Sequence, residues 1–158
     1  MNPKLIELLN SLLIQEQTSI NQYRFNSEWN KVNGYNELSD MFYERYKDES
    51  KHYHHIIARI LLLEGLPVID DTGEPKIAYD VKTQLENDLE IENQIISDYN
   101  NAIHILTCGN DDIQPDNETR RILEKILRDE EEHVQEIQGN LKKIADVGID
   151  GYLTIYGK

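Results

Sequence analysis

A single cysteine, Cys108, leaves the 158-residue sequence without an intramolecular disulfide or a thiolate cage for a metal. Only four prolines and eight glycines are present, most of them between periodic stretches or near the ends. Long helices can therefore run unbroken. No apolar run approaches the roughly 18–20 residues that cross a bilayer. Asn10, Gln15 and Glu16 interrupt the apolar N-terminal region before any small-residue cleavage site. No signal peptide is expected, and the expected location is cytoplasmic. Positive charge is scarce as well: 16 Lys and Arg against 30 Asp and Glu give a formal charge of −14. That balance argues against nucleic acid as a partner, because no basic patch could offset the repulsion. It suits a soluble protein, or one that gathers cations around itself.

What the sequence does have is helical periodicity, with apolar side chains recurring every three or four residues. A first helix is predicted from about Asn2 to Lys31, with Pro3 in its first turn. Its stripe is Leu5, Leu8, Leu9, Leu12, Leu13, Ile20 and Tyr23. A second follows Gly34, with Asn36 as N-cap, and continues to Glu64 on the repeat Leu38, Phe42, Ile56, Ile60 and Leu63. Gly65-Leu66-Pro67 stops it. A third spans about Tyr79 to Thr107 through Val81, Leu85, Leu89, Ile96, Tyr99, Ile103 and Leu106, and Cys108-Gly109-Asn110 ends it. The fourth runs from about Pro115 to Val147 with Leu123, Ile126, Leu127, Ile137, Leu141 and Ile144 inside. A short fifth segment, Ile149 to Tyr156, completes the chain. The short joins make each consecutive pair antiparallel. The segment from Gly65 to about Ala78 is long enough to travel the length of a bundle. One long crossover in an all-α four-helix bundle is the ferritin-like connectivity. With no β pattern and no low-complexity stretch, residues 1–158 read as a single domain.

Chemistry enters through two repeats, Glu49-x-x-His52 and Glu130-x-x-His133, each inside a predicted helix. Residues three or four apart share a helix face, so each position can be tested against its stripe. The register 9, 12, 16, 20, 23 puts Glu16 where a core leucine is expected, and 42, 45, 49, 52, 56 turns Glu49 and His52 inward. The register 85, 89, 92, 96, 99 includes Glu92, and 123, 126, 130, 133, 137 includes Glu130 and His133. All six residues point into one core. An isolated buried carboxylate costs several kcal/mol or becomes protonated, so four together need compensation. Two divalent cations supply it and leave both imidazoles neutral. Imidazole nitrogen suits iron, manganese or zinc. Glu49 and Glu130 are expected to bridge the ions, with Glu16 and His52 completing one site and Glu92 and His133 the other.

The remaining candidates have plainer readings. Glu44, Glu131, Glu132 and Glu136 read as solvated helix faces, and His54 points away from His52. His55 reads as a packed or surface histidine, and His104 falls off its stripe. Tyr23 reads as a core tyrosine whose hydroxyl can also reach a ligating carboxylate. A buried salt-bridge network in place of a metal site fares poorly, because Arg45 is the sole basic residue on the inward registers.

The chain resembles bacterioferritin over essentially its full length. The resemblance rests on Leu9-Asn10-Ser11-Leu12-Leu13 leading to Glu16, on Gln22-Tyr23, and on Glu49-Ser50-Lys51-His52. It continues through Ile57-Ala58-Arg59-Ile60-Leu61-Leu62-Leu63-Glu64-Gly65-Leu66-Pro67, Asp88-Leu89-Glu90-Ile91-Glu92 and Ile126-Leu127-Arg128-Asp129-Glu130-Glu131-Glu132-His133. It implies a hollow shell of 24 subunits assembled through dimers. It further implies iron storage as a ferric mineral and a ferroxidase centre of two iron ions in each subunit. On that pattern Glu16 and Glu92 are terminal ligands, Glu49 and Glu130 bridge, His52 and His133 cap, and Tyr23 stands beside the centre. The fifth segment would be the short helix lining a symmetry axis.

Two departures stand out. Bacterioferritins usually bind haem through a methionine directly after the second-helix glutamate, and here that place is Ser50. Met41 is nine residues back, about half a turn away in helical phase. Haem is therefore not expected, unless a second, haem-carrying subunit type shares the shell. On the expected cavity face, where some relatives carry a His and an Asp, this chain has Glu44 and Asp48, read as solvated carboxylates. The expected activity is oxidation of Fe²⁺ by O₂ or H₂O₂ and storage of the product. The rivals are a rubrerythrin-like peroxide reductase and a non-catalytic shell or partner subunit holding another divalent metal.

Overall fold

The computed structural model describes all 158 residues and contains four long helices and no strand. They are α1 (Pro3–Val32), α2 (Asn36–Leu62), α3 (Val81–Cys108) and α4 (Asn117–Tyr156). α1 packs along α2 and α3 along α4, and lighter α1–α3 and α2–α4 contacts close the bundle. Residues 63–80 form the long crossover. No helix is long and apolar enough to cross a membrane.

Local chemistry sets the ends. Asn2 caps α1 by accepting the Lys4 and Leu5 amides at 3.0 and 3.2 Å, with Pro3 in the first turn. Asp80 and Asp116 cap α3 and α4 through the Thr83 and Thr119 amides. The N-cap of α2 is Tyr35 rather than the expected Asn36, and it makes no side-chain cap bond. The Tyr35 amide closes α1 instead, donating to the Asn30 carbonyl at 2.9 Å while Gly34 takes the left-handed position at φ 83°.

The same motif ends α2, shifted by one residue from expectation. Gly65 donates to the Ile60 carbonyl and Glu64 to that of Leu61, so Glu64, not the glycine, holds the left-handed position at φ 60°. The helix accordingly stops at Leu62, before the expected Glu64. Gly65 answers a different need: a Cβ there would run into the Ile6 side chain. The crossover is then held by polar side chains of α1. Asn10 accepts from Val68 at 2.8 Å, Thr18 from Gly73 at 2.9 Å and Gln22 from Lys76 at 2.9 Å. These bonds satisfy backbone amides that an aperiodic segment cannot pair with itself.

The predicted fifth segment is helical but is the last part of α4, set off from the rest only by the non-helical Gly148 at φ 75° and ψ 164°. Beyond that break Tyr152 is fully buried and donates to Asn140 at 2.7 Å.

Two apolar clusters fill the bundle. One gathers Leu5, Leu9, Leu12, Ile56, Ile60, Ile95, Leu106 and Leu123 among others. The second holds Tyr23, Leu38, Phe42, Val81, Leu85, Ile137, Ile144 and Tyr152. Burying each large apolar side chain stabilises by roughly 1.5–3 kcal/mol, enough together to hold a polar layer between them. On α3 the buried series is Leu85, Asp88, Glu92, Ile95, Tyr99, Ala102 and Leu106. Leu89 and Ile96, expected on the stripe, are only partly buried, and Asp88 and Ile95 take those places.

Candidate metal centre

The layer between the clusters is made by Glu16, Glu49, His52, Glu92, Glu130 and His133, the four carboxylates having no exposure and the imidazoles 1–2%. Their donor atoms fall into two groups that share Glu49 and Glu130, each group lying within 4.8 Å. Around His52 Nδ1 stand Glu130 Oε1 at 2.8 Å, Glu49 Oε2 at 3.4 Å and Glu16 Oε2 at 3.5 Å. Around His133 Nδ1 stand Glu49 Oε1 at 3.1 Å, Glu130 Oε2 at 3.2 Å and Glu92 Oε1 at 3.3 Å. Glu49 and Glu130 thus give one oxygen to each group. The imidazole rings lie 6.2 Å apart and nearly parallel.

One N–H cannot serve three carboxylates. Glu16 Oε2, Glu92 Oε2, both oxygens of Glu49 and Glu130, and His52 Nδ1 have no hydrogen-bond partner. The 2.8 Å approach of Glu130 to His52 Nδ1 lacks hydrogen-bond alignment, so it is read as crowding of like donors. Such orphaned buried atoms are expensive. Two divalent cations fit this donor set, since they would engage the orphaned oxygens and cancel four negative charges.

Without cations, protons do part of that work. Burial raises Glu16 and Glu130 well above the carboxylate range, and the neighbouring Glu49 charge adds to the effect. Burial opposes ionisation of Glu49 too, but the close approach of the protonated His133 and His52 holds it well below that range. Burial lowers both imidazoles, yet the carboxylates outweigh it: Glu130, Glu16 and Glu49 hold His52 protonated, and Asp48, Glu130, Glu49 and Glu92 do so for His133.

A layer of supporting contacts surrounds the six. Tyr23 donates to Glu92 Oε1 at 2.5 Å, as the sequence suggests. Tyr99, read from sequence only as a core residue, donates to Glu16 Oε1 in the same way. His52 Nε2 meets Asp129 Oδ2 at 2.9 Å, and His133 Nε2 meets Asp48 Oδ2 at 3.3 Å. These carboxylates place the imidazole proton on Nε2 and leave the Nδ1 lone pair for a cation. Asp48 is therefore not the free solvated carboxylate expected: the His133 contact, and Arg45 at 2.9 Å, hold its pKa low. Glu136 likewise pairs with Arg45, which takes that guanidinium out of the centre. A signal for the two aspartates was available, since each directly precedes a Glu-x-x-His motif. His54, His55 and His104 are exposed and outside the centre, as are Glu44, Glu131 and Glu132.

A buried centre of four carboxylates and two imidazoles in a bundle with one long crossover defines a ferritin-like protein, and the family profile described as Ferritin-like domain matches residues 6–147. A bacterioferritin of Mycobacterium leprae is 33% identical over 151 residues, covering 96% of this chain and 92% of that protein. Bacterioferritin BfrA of Mycobacterium tuberculosis has the same identity and coverage. A bacterioferritin of Streptomyces coelicolor is 29% identical over 153 residues, covering 97% and 89%. The chain belongs to the bacterioferritin family of ferritin-like proteins.

Proposed function

We propose that this protein stores iron, that its buried centre oxidises Fe²⁺ to Fe³⁺ with O₂ or H₂O₂, and that the product collects as ferric mineral inside a shell of 24 subunits. The observation that carries this reading is the pair of cages around His52 and His133 with their orphaned carboxylate oxygens. Fe²⁺ is the substrate. Glu49 and Glu130 hold both ions, Glu16 and His52 complete one site, and Glu92 and His133 complete the other. Each ion gives up one electron to the oxidant. Tyr99 holds Glu16 Oε1 and so leaves Oε2 for its ion, and Tyr23 fixes the Glu92 carboxylate through Oε1. Asp129 and Asp48 orient the imidazoles and hold a proton on Nε2, so that Nδ1 faces the ion.

Ser50 supports a haem-free subunit. Its hydroxyl donates to the Tyr46 carbonyl at 2.8 Å and offers no thioether. Haem in the assembled shell would then come from a second kind of subunit. A rubrerythrin-like reductase is disfavoured because its usual rubredoxin-type site needs four cysteines, and Cys108 is alone. The test joins particle mass, metal content and stopped-flow oxidation of Fe²⁺. A particle near 24 subunits that oxidises Fe²⁺ rapidly is expected, with Glu49→Ala and Glu130→Ala slow. Variants as fast as the parent would show that the centre is assigned wrongly, and a bis-thioether haem spectrum would sink the Ser50 argument.

A further inference from the structure

One turn before Glu92, the side chain of Asp88 is fully buried with no cationic partner. Its partners are all amides. Gln22 Nε2 donates to Oδ1 at 2.7 Å, and Asn26 Nδ2 lies 3.1 Å from both Oδ1 and Oδ2. The two amides differ in freedom. Gln22 is fixed, because its Oε1 accepts the Lys76 backbone N–H at 2.9 Å and its Nε2 must then face Asp88. Asn26 is not fixed, because its Oδ1 is buried without a partner.

That asymmetry lets one site serve two protonation states. An ionised Asp88 accepts from Gln22 and Asn26. A protonated Asp88 keeps the Gln22 bond on Oδ1 and donates its Oδ2 proton to Asn26 Oδ1 after a half-turn of the Asn26 amide. We propose that Asp88 is a proton store for the metal centre, holding a proton while the cages contain no cation and releasing it when cations fill them. On release the Oδ2–H bond breaks, the proton leaves to solvent, and Asn26 turns its Nδ2 to the carboxylate. Gln22 also lines a cleft of about 280 Å³ between α1, the crossover and α3, which brings solvent within one side chain of Asp88.

The surrounding charges favour this behaviour. Burial is the main cause that pushes Asp88 up to about 8; the Gln22 and Asn26 donors oppose it, and Glu92 on α3 and Glu49 on α2 reinforce it. From α1 the ionisable neighbour is the neutral Tyr23 phenol. Lys76 turns its ammonium out to Glu90, and no α4 side chain is among Asp88's hydrogen-bond partners. Two cations at Glu92 and Glu49 would set fixed positive charge against the carboxylates that hold the proton on Asp88, in place of the shared imidazolium protons of His52 and His133.

The inference rests on reading the six residues as the metal centre, and one experiment separates the two. Redox-inert Zn²⁺ is titrated calorimetrically into the metal-free assembled protein near neutral pH, in two buffers of different ionisation enthalpy. Ion stoichiometry and protons released are read together. Asp88→Asn imitates the protonated acid, so it should bind the same number of ions and release about one proton fewer per subunit. Gln22→Met removes a donor to the carboxylate and should also lower the count, which covers the case of Asp88→Asn failing to assemble. Equal proton release by parent and both variants, at equal ion stoichiometry, overturns the proton store. A parent that binds fewer than two Zn²⁺ per subunit overturns the metal centre, and the store with it.

Discussion

Replacing Asp129 by alanine removes the carboxylate that meets His52 Nε2 at 2.9 Å and leaves all six cage residues in place. The aspartate adjoins Glu130 in sequence, but its contact reaches across to the imidazole of α2, so the damage should fall on the ion shared by His52 and Glu16. Losing such a support costs 10–100-fold in metal affinity, about 1.4–2.7 kcal/mol. The Asp129 side chain is 51% exposed, which favours the lower end through solvent screening. An anaerobic Co²⁺ or Zn²⁺ titration should then resolve two classes of site where the parent is expected to give near-equivalent ones, one weakened about tenfold. Asp48→Ala should weaken the opposite ion, and less, because its contact with His133 is longer at 3.3 Å and it is shared with Arg45. Combined with His52→Ala, Asp129→Ala should add almost nothing, since both act on one ligand. Equal weakening of both ions, or full additivity with His52→Ala, would refute the assignment.

Tyr99→Phe should strand one oxygen of Glu16, costing about 1–3 kcal/mol in chemical denaturation of the metal-free protein and slowing stopped-flow Fe²⁺ oxidation as Tyr23→Phe does. Glu64→Gly should stabilise by about 1 kcal/mol in urea unfolding, because a non-glycine residue now holds φ 60°. Gly65→Ala should instead destabilise by about 1–3 kcal/mol through its collision with Ile6. Asp88 ionises near 3.9 when unfolded and near 8 when folded without metal. The folded state holds the extra proton between those values, so stability contributed by this group is lost as pH rises through that window. Thermal denaturation of the metal-free parent should fall relative to Asp88→Asn from pH 5 to 8, and parallel curves would contradict the buried acid.

Much of this was legible from spacing alone. The four helices follow from apolar periodicity, and the long crossover from its absence from Gly65 to about Ala78. All six cage residues stand out because a carboxylate or imidazole on an apolar stripe is costly unless something compensates it. The contacts around them were harder to see, because a buried polar group matched by another leaves no hydrophobic signal. Asp88, between Gln22 and Asn26, looks like any surface aspartate, and the apolar Leu89 and Ile96 drew the α3 register one residue along. The end of α2 was misplaced for a steric reason: glycine at that turn serves the approach of Ile6, not the left-handed position.

The supporting contacts also explain why the centre needs the whole bundle. Glu16 and Tyr23 on α1 have the same spacing as Glu92 and Tyr99 on α3, and both helix pairs then carry Asp-Glu-x-x-His. Every support crosses between the halves. Tyr99 and Asp129 of the α3–α4 pair hold Glu16 and His52, while Tyr23 and Asp48 of the α1–α2 pair hold Glu92 and His133. Neither pair alone could hold its own terminal ligands in place, and neither could gather four carboxylates. The cost of the buried charges therefore arises only when the halves dock, which is the step that also forms the cages able to offset it. A cation that binds the docked form alone stabilises that form by mass action, so metal loading and closure of the two halves should be one coupled equilibrium.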